Sequence, residues 1–101
     1  MAVAVQLDFR GVTLEQYDQI NERLGLLPGG PASPHEFFHW VMKTVDGFRV
    51  LDVWDSQEAF EKFAEEKLTP TYDEVGVPCL PEIQFFEVYN FLPGGHWRGN
   101  V

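Results

Sequence analysis

The sequence predicts an α+β domain with one four-stranded antiparallel sheet, and three observations support this prediction. Apolar and other residues alternate from Val3 to Phe9, which is the period of a strand. Two apolar-rich runs, 36–45 and 48–54, flank Asp46-Gly47, a pair that favours a tight β-hairpin. Apolar residues recur at helical spacing after the first strand and again after the hairpin.

Length and composition limit the classes of function. A chain of 101 residues suffices for one domain, which we assign to 1–92, followed by a C-terminal tail at 93–101. The net charge of −9 argues against nucleic acid and membrane as partners, because both attract basic proteins. The single cysteine, Cys79, excludes an internal disulfide, and the N-terminal segment lacks the basic start of a signal peptide. We therefore expect a cytoplasmic protein.

The remaining elements follow in chain order. Thr13 and Gln16 form the capping-box pattern that begins a helix, and Gly25 is the type of residue that ends one. A loop rich in glycine and proline follows at 25–34. The later elements are a second helix after Asp55, a short helix from Thr69 to Gly76, and a last strand over 83–91.

The resulting order, β-α-β-β-α-(α)-β, is the split βαβ arrangement of ferredoxin-like folds. Helices can cover only one face of such a sheet, yet the second and fourth strands are apolar on both faces. The simplest cover for the other face is the same face of a second copy. We therefore expect a symmetric homodimer.

One long stretch also resembles a known group of proteins. It reads G-F-R-V-L-D-V-W-D-S-Q-E-A-F-E-K-F at 47–63, followed by L-T-P-x-x-x-E-V-G at 68–76. This pattern resembles the dimeric α+β barrel superfamily, which includes the antibiotic-biosynthesis monooxygenase-like proteins, and the resemblance covers residues 2 to about 92. It implies a barrel of two four-stranded sheets with the helices outside, and a pocket in each subunit between sheet and helices.

The hairpin predicts a candidate site. If Asp46-Gly47 is a two-residue turn, Val41 faces Asp52 and His39 faces Trp54. One sheet face then carries His39, Val41, Lys43, Val50, Asp52 and Trp54, and the other carries the apolar set Trp40, Met42, Leu51 and Val53, which suits the dimer contact.

On the first face Asp52 is predicted to lie diagonal to both His39 and Lys43. A carboxylate beside His39 orients the imidazole and raises its pKa. The alternative is that Asp52 pairs with Lys43 while His39 only packs on Trp54.

We predict roles for seven side chains. The predicted catalytic residues are His39 as general acid or base, Asp52 as the carboxylate that orients it, and Tyr72; the predicted substrate contacts are Trp54, Tyr17, Phe60 and Phe63. No metal site is expected among them.

The resemblance places Trp54 at the active-site tryptophan of the family's cofactor-free monooxygenases, but the partner residues differ. The family's asparagine falls at Val50, its helical tyrosine at Phe60, and the histidine of the haem-degrading branch at Ala64. Haem breakdown is therefore not expected. Cyclases of the olivetolic-acid type share the fold and use a histidine and a tyrosine as acid and base. The resemblance implies comparable roles for His39 together with Tyr17 or Tyr72.

Residues 35–39 match the H-E-x-x-H motif. On a helix, histidines four residues apart bind zinc together, with the glutamate as general base. On a strand they lie roughly 13 Å apart and cannot share one ion. Because the segment leads into the hairpin, we favour the strand and keep a zinc hydrolase as a lesser alternative.

Together these patterns favour a small, cofactor-independent enzyme, monooxygenase- or cyclase-like. It would act on an apolar or aromatic, polyketide-like molecule bound between sheet and helices. The alternative from another class is a non-catalytic ligand-binding or assembly module of the same fold.

Overall fold

The computed structural model describes residues 1–92; the predicted tail at 93–101 lies outside the described residues. The strands are β1 (Val3–Arg10), β2 (Glu36–Lys43), β3 (Gly47–Trp54) and β4 (Glu82–Glu87), and the helices are α1 (Leu14–Leu24), α2 (Gln57–Phe63) and α3 (Thr69–Val75). A π-helical segment, Ala64–Leu68, joins α2 to α3. None of the helices within residues 1–92 has the length and apolarity that crossing a bilayer requires.

The four strands form one antiparallel sheet in the order β2-β3-β1-β4. Along β1, every second side chain from Val3 to Phe9 is buried. These side chains form one core cluster with residues of the helices, among them Ile20, Phe60 and Tyr72. The helices therefore cover one face of the sheet, and the predicted α+β, ferredoxin-like order is confirmed.

Helix α1 begins and ends where the sequence predicts. The Thr13 side chain accepts a hydrogen bond from the Gln16 backbone N–H, and the Gln16 side chain in turn accepts one from the Thr13 N–H. Gly25 ends the helix with φ of 76°, a left-handed conformation that glycine adopts without steric cost. These local signals depend on neighbouring residues alone, so the sequence reports them reliably.

The predicted hairpin register is wrong by two residues. Lys43, not Val45, faces Phe48, and the Thr44 N–H donates to the Gly47 carbonyl, so Val45 and Asp46 form the tip. Gly47 does not have the positive φ that the predicted turn requires. A side chain on Gly47 would place its Cβ 1.8 Å from the Phe9 carbonyl oxygen, so this glycine permits close approach of β1.

Two further boundaries differ from prediction. Strand β4 ends at Glu87 instead of Phe91 because Glu87 pairs with Val3, the first residue of β1, so the partner strand ends there. The second and third helices are continuous through the π-helical segment. Pro70 has no N–H to donate to the preceding turn, which explains why the helical ladder widens just before it.

The sheet face away from the helices is called the open face below. It carries the four predicted apolar residues of the hairpin, Trp40, Met42, Leu51 and Val53. Phe86 of β4 lies on the same face, because Phe86 and Val53 both pair with Ala4. The face is not purely apolar, however. Arg49 also lies on it and binds Asp8 of β1 through Nε to Oδ1 at 2.6 Å.

Candidate functional site

His39 and Asp52 lie directly opposite each other in the middle of the hairpin. The Nδ1 atom of His39 is 2.7 Å from Oδ1 of Asp52. The predicted diagonal relation is wrong, but the register differs by two residues, so both side chains still point to the helix face. Lys43 pairs with Phe48 at the far end of the strand and is exposed, so the alternative Asp52–Lys43 pairing is also wrong.

Glu36 adds a second carboxylate that was not among the predicted site residues. The β2–β3 register shifts between Glu36 and Phe38, so Glu36 faces Trp54 and its side chain lies beside His39. Its Oε2 is 3.1 Å from Nδ1 of His39, while its Oε1 accepts a hydrogen bond from the Ser33 N–H at 3.1 Å. The H-E-x-x-H match contained Glu36, but a bulge cannot be read from that pattern.

Tyr17 completes the arrangement from α1. Its hydroxyl is 2.7 Å from Nε2 of His39, and its ring lies nearly parallel to the imidazole. The structure thus brings together a predicted catalytic residue and a predicted substrate contact. His39 has a hydrogen-bonding partner on each ring nitrogen, Tyr17 on Nε2 and Glu36 on Nδ1, and the Asp52 carboxylate also lies beside Nδ1.

The two carboxylates converge on a single N–H. The Nδ1–H of His39 is directed at Glu36, and Oδ1 of Asp52 receives no well-aligned hydrogen bond although it lies 2.7 Å from Nδ1. The side chains of Glu36 and Asp52 are only 3% and 6% exposed. Two buried carboxylates this close repel each other when both are ionised, so the arrangement favours an extra proton.

Burial and charge shift the protonation of this cluster. Burial, with the charge of Asp52 adding to it, raises the pKa of Glu36 to about 7, although the hydrogen bond from His39 acts the other way. Burial by itself lowers the pKa of His39, but hydrogen bonds to Asp52 and Glu36 and the charge of Asp52 outweigh it and raise this pKa to about 11. His39 is therefore an imidazolium at neutral pH, able to donate a proton but not to accept one.

The other four predicted aromatic site residues divide between the cavity wall and the core. Tyr72 lines the cavity beside the cluster and packs edge-on against Phe9; burial, then the charge of Asp52, raises the pKa of its phenol and keeps it protonated. Phe63 also lines the cavity. Trp54 and Phe60 are each 1% exposed and belong to the core, and the Trp54 indole N–H donates to Oδ2 of Asp52 at 3.3 Å.

The cavity beside the cluster lies between the sheet and the helices. Its volume is about 40 Å³, and its polar lining includes Tyr17, Ser33, Glu36, His39 and Asp52. That volume holds water molecules but not a polyketide-sized ligand, since sites for such ligands measure roughly 300–1,000 Å³. A ligand-sized pocket therefore stays a prediction, and it requires movement of the surrounding chain.

Residues 35–39 do not form the helix that zinc binding by an H-E-x-x-H motif requires. Residues 36–43 form a strand rather than a helix; His35 precedes it with φ of 68°, and its Nδ1 lies 2.7 Å from Oδ2 of Asp55 at the surface. Ligand-type atoms of Glu36, His39 and Asp52 do lie within 4.8 Å of one another. Because a metal ion binds histidine only in its deprotonated form, the raised pKa of His39 opposes metal binding at this cluster.

Comparison with known proteins gives similarity in structure but not in sequence. No protein-family model matches the chain, and no curated protein matches its sequence. One similar solved structure is SnoaB, a cofactor-independent oxygenase from Streptomyces nogalater, with a TM-score of 0.58 and 15% identity over 92% of this chain and 97% of that one.

Two further structures are similar to the same extent. A proposed antibiotic biosynthesis monooxygenase from Deinococcus radiodurans has a TM-score of 0.56 and 14% identity, over 92% of this chain and 97% of that one. A variant of MhuD with two manganese protoporphyrin IX molecules bound per active site has a TM-score of 0.55 and 16% identity, over 93% of this chain and all of that one. At identities of 14–16% these comparisons establish the fold alone. They confirm the fold that the sequence resemblance implied. The chain has the ferredoxin-like α+β fold of the antibiotic-biosynthesis monooxygenase-like structures.

Proposed function

We propose that the protein is a small enzyme that transfers a proton to an apolar or aromatic small molecule without a resident cofactor. The observation that carries this proposal is the partly buried chain of polar groups from Tyr17 through His39 to the two buried carboxylates of Asp52 and Glu36. A purely structural histidine needs partners for its ring nitrogens, but it does not need two buried carboxylates on one of them.

The protonation of His39 sets the direction of the hydrogen bonds. Because both ring nitrogens of an imidazolium carry hydrogen, Nε2–H donates to the Tyr17 oxygen. The Tyr17 hydroxyl hydrogen is then free to donate into the cavity, which Tyr17 lines. In this arrangement Tyr17 contacts the ligand, His39 supplies the proton, and Asp52 orients the imidazole.

The class of ligand is inferred from the apolar cavity wall and from the similar structures. Beyond the cluster, the cavity is lined mainly by apolar and aromatic side chains, including Phe9, Phe48, Phe63 and Tyr72. SnoaB is a cofactor-independent oxygenase, which supports chemistry without a resident cofactor. In a monooxygenase-like reaction molecular oxygen would be the oxidant, and the acid would supply a proton to the oxygen atom that leaves as water. In a cyclase-like reaction the same acid would protonate a carbonyl oxygen of a polyketide-like ligand. Haem breakdown is not proposed, because Ala64 stands where the haem-degrading branch has its histidine.

The proposal is tested with anthrone-type and poly-β-ketone-type compounds as probes. Turnover is followed by mass spectrometry of the products and by oxygen consumption. We expect His39→Ala to lower turnover by about 100-fold or more, the usual contribution of a general acid. His35→Ala is the matched control, since His35 has a carboxylate partner at the same 2.7 Å distance but at the surface. Equal turnover of wild type and His39→Ala would contradict the assignment.

The small size of the cavity supports a second candidate, a non-catalytic ligand-binding or assembly module. A site with about 40 Å³ of space binds a ligand only by rearranging, and such binding does not require chemistry. The same probes distinguish the two candidates. Binding of a probe with no product under air favours the module, and measured conversion favours the enzyme.

We also propose that the open face pairs two copies of the chain. Trp40 and Phe86 on this face are 43% and 48% exposed, and large apolar side chains exposed on one sheet face favour an interaction surface. Sedimentation or light scattering should give the mass of a dimer for wild type and of a monomer for Trp40→Glu. Leu27→Glu, an equally apolar-to-charged change in the exposed loop, should leave the dimer intact. A monomeric wild type contradicts this proposal.

A further inference from the structure

We propose that Glu36 is a positioning residue which, by holding or releasing one proton, sets how tightly His39 keeps its own proton. The carboxyls of Glu36 and Asp52 lie 3.1 Å and 2.7 Å from the same Nδ1 of His39, and burial removes the water that would otherwise screen their charges. The inference concerns the His39 ring itself. Its consequence for turnover rests on the function proposed above.

The surroundings of Glu36 are fixed by two neighbouring contacts. Two hydrogen bonds join Glu36 to Ser33 at the end of the loop: the Ser33 N–H donates to Oε1 of the Glu36 side chain, and the Glu36 N–H donates to the Ser33 carbonyl. The β-bulge directs its side chain towards the helices. These contacts hold Oε2 beside Nδ1 of His39.

The titratable groups that face Glu36 come from three other elements and from its own strand. They are Asp52 on β3, His39 on β2, and, one step further, Tyr17 on α1 and Tyr72 on α3. Protonated Glu36 leaves one negative charge, that of Asp52, to hold the imidazolium. Ionised Glu36 adds a second negative charge, so the imidazolium proton is held more tightly and is donated less readily through Tyr17.

The shifted pKa of Glu36 places this change within the physiological range. Burial first, and the charge of Asp52 with it, raises that pKa to about 7. As the pH falls through 7, Glu36 takes up a proton and the Tyr17–His39 pair becomes the better proton donor. A reaction limited by this donation would therefore speed up as the pH falls through the same window.

The test uses nuclear magnetic resonance of the full chain and needs no substrate. The ring nitrogens of His39 are followed from pH 5 to pH 12 in wild type and in Glu36→Gln, because His39 loses its proton only well above neutral pH. In wild type we expect the Nδ1 signal to report a transition near pH 7 while the ring stays doubly protonated. In Glu36→Gln that transition should vanish, and the midpoint at which His39 loses its proton should move down by about one pH unit.

The control is Asp55→Asn, which removes a carboxylate from the exposed His35 pair and should change only the His35 signal. Because Glu36→Gln affects a buried residue, the wild-type side-chain carboxyl carbon of Glu36 is followed as well, and it should titrate near pH 7. A Glu36 midpoint in the ordinary range of exposed glutamates, or a His39 transition unchanged in Glu36→Gln, would overturn the inference. Loss of turnover on every probe with these titrations intact would instead count against the proposed function alone.

Discussion

The indole N–H of Trp54 donates to Oδ2 of Asp52 at 3.3 Å, two residues earlier on the same strand. Side chains two residues apart on a strand point to the same face, which brings the two groups into contact. Trp54 is buried against Phe60 and Phe63, so the contact is held by packing from α2. The tryptophan predicted to form the wall of a binding pocket therefore supports the carboxylate behind His39.

This contact predicts the effect of Trp54→Phe. Phenylalanine keeps most of the apolar volume but leaves Oδ2 of Asp52 without its donor, and an unsatisfied buried acceptor costs about 1–3 kcal/mol. We expect a decrease of that size in the free energy of unfolding, measured by urea denaturation. Trp40→Phe, on the open face, is the control and should change stability much less. Equal losses in both variants would mean that the hydrogen bond contributes nothing.

Tyr17→Phe tests the hydroxyl that faces the cavity. The substitution removes only the group 2.7 Å from Nε2 of His39 and keeps the ring that packs on Phe48. On any probe that wild type converts, we expect kcat to fall by about 100-fold or more while the fold is retained. Tyr89→Phe changes a fully exposed tyrosine and should leave kcat unaltered. A wild-type rate for Tyr17→Phe would remove Tyr17 from the proposed chain.

Glu36 also predicts how stability depends on pH. Its carboxyl has a pKa near 4.5 in the absence of these contacts and about 7 in the folded protein, so between these values the folded state binds more protons than the unfolded state. Stability should therefore fall as the pH rises from 4.5 to 7, by on the order of 1–3 kcal/mol from this group.

The raised pKa of His39 acts in the same direction at higher pH. Its contribution is complete below about 6.5 and is lost as the pH rises towards about 11. Denaturant midpoints at pH 5, 7 and 9 should decrease in that order for wild type. In Glu36→Gln the decrease in the denaturant midpoint between pH 5 and 7 should be much smaller than in wild type, while the decrease between pH 7 and 9 should remain. A wild-type profile that rises from pH 5 to 7 would contradict the protonation described here.

Gly47→Ala tests the close contact between β3 and β1. The added Cβ would lie 1.8 Å from the Phe9 carbonyl oxygen, a backbone atom that cannot move without disturbing the strand pairing. We expect a loss of about 3 kcal/mol or more in the free energy of unfolding. Gly30→Ala is the control, because its nearest neighbour would be at 3.1 Å in an exposed loop. A small effect at both positions would mean that β1 shifts freely.

Local patterns along the chain determined much of the fold. The alternation from Val3 to Phe9, the Thr13–Gln16 capping box and the helix-ending Gly25 all act between near neighbours, so the sequence predicted them correctly. The alternation of the hairpin also placed His39 and Asp52 on one sheet face, because that property survives a register shift of two residues.

Tertiary structure decided the register and therefore the site. The hairpin tip lies at Val45 and Asp46 rather than at the predicted Asp46-Gly47. Gly47 instead packs closely against β1, a contact between distant parts of the chain. The bulge at Glu36 and the arrival of Tyr17 from α1 depend on the same long-range packing. The sequence alone thus indicated which faces the polar residues occupy, and only the packing of β1, β3 and α1 determined that His39 lies between a tyrosine and two buried carboxylates.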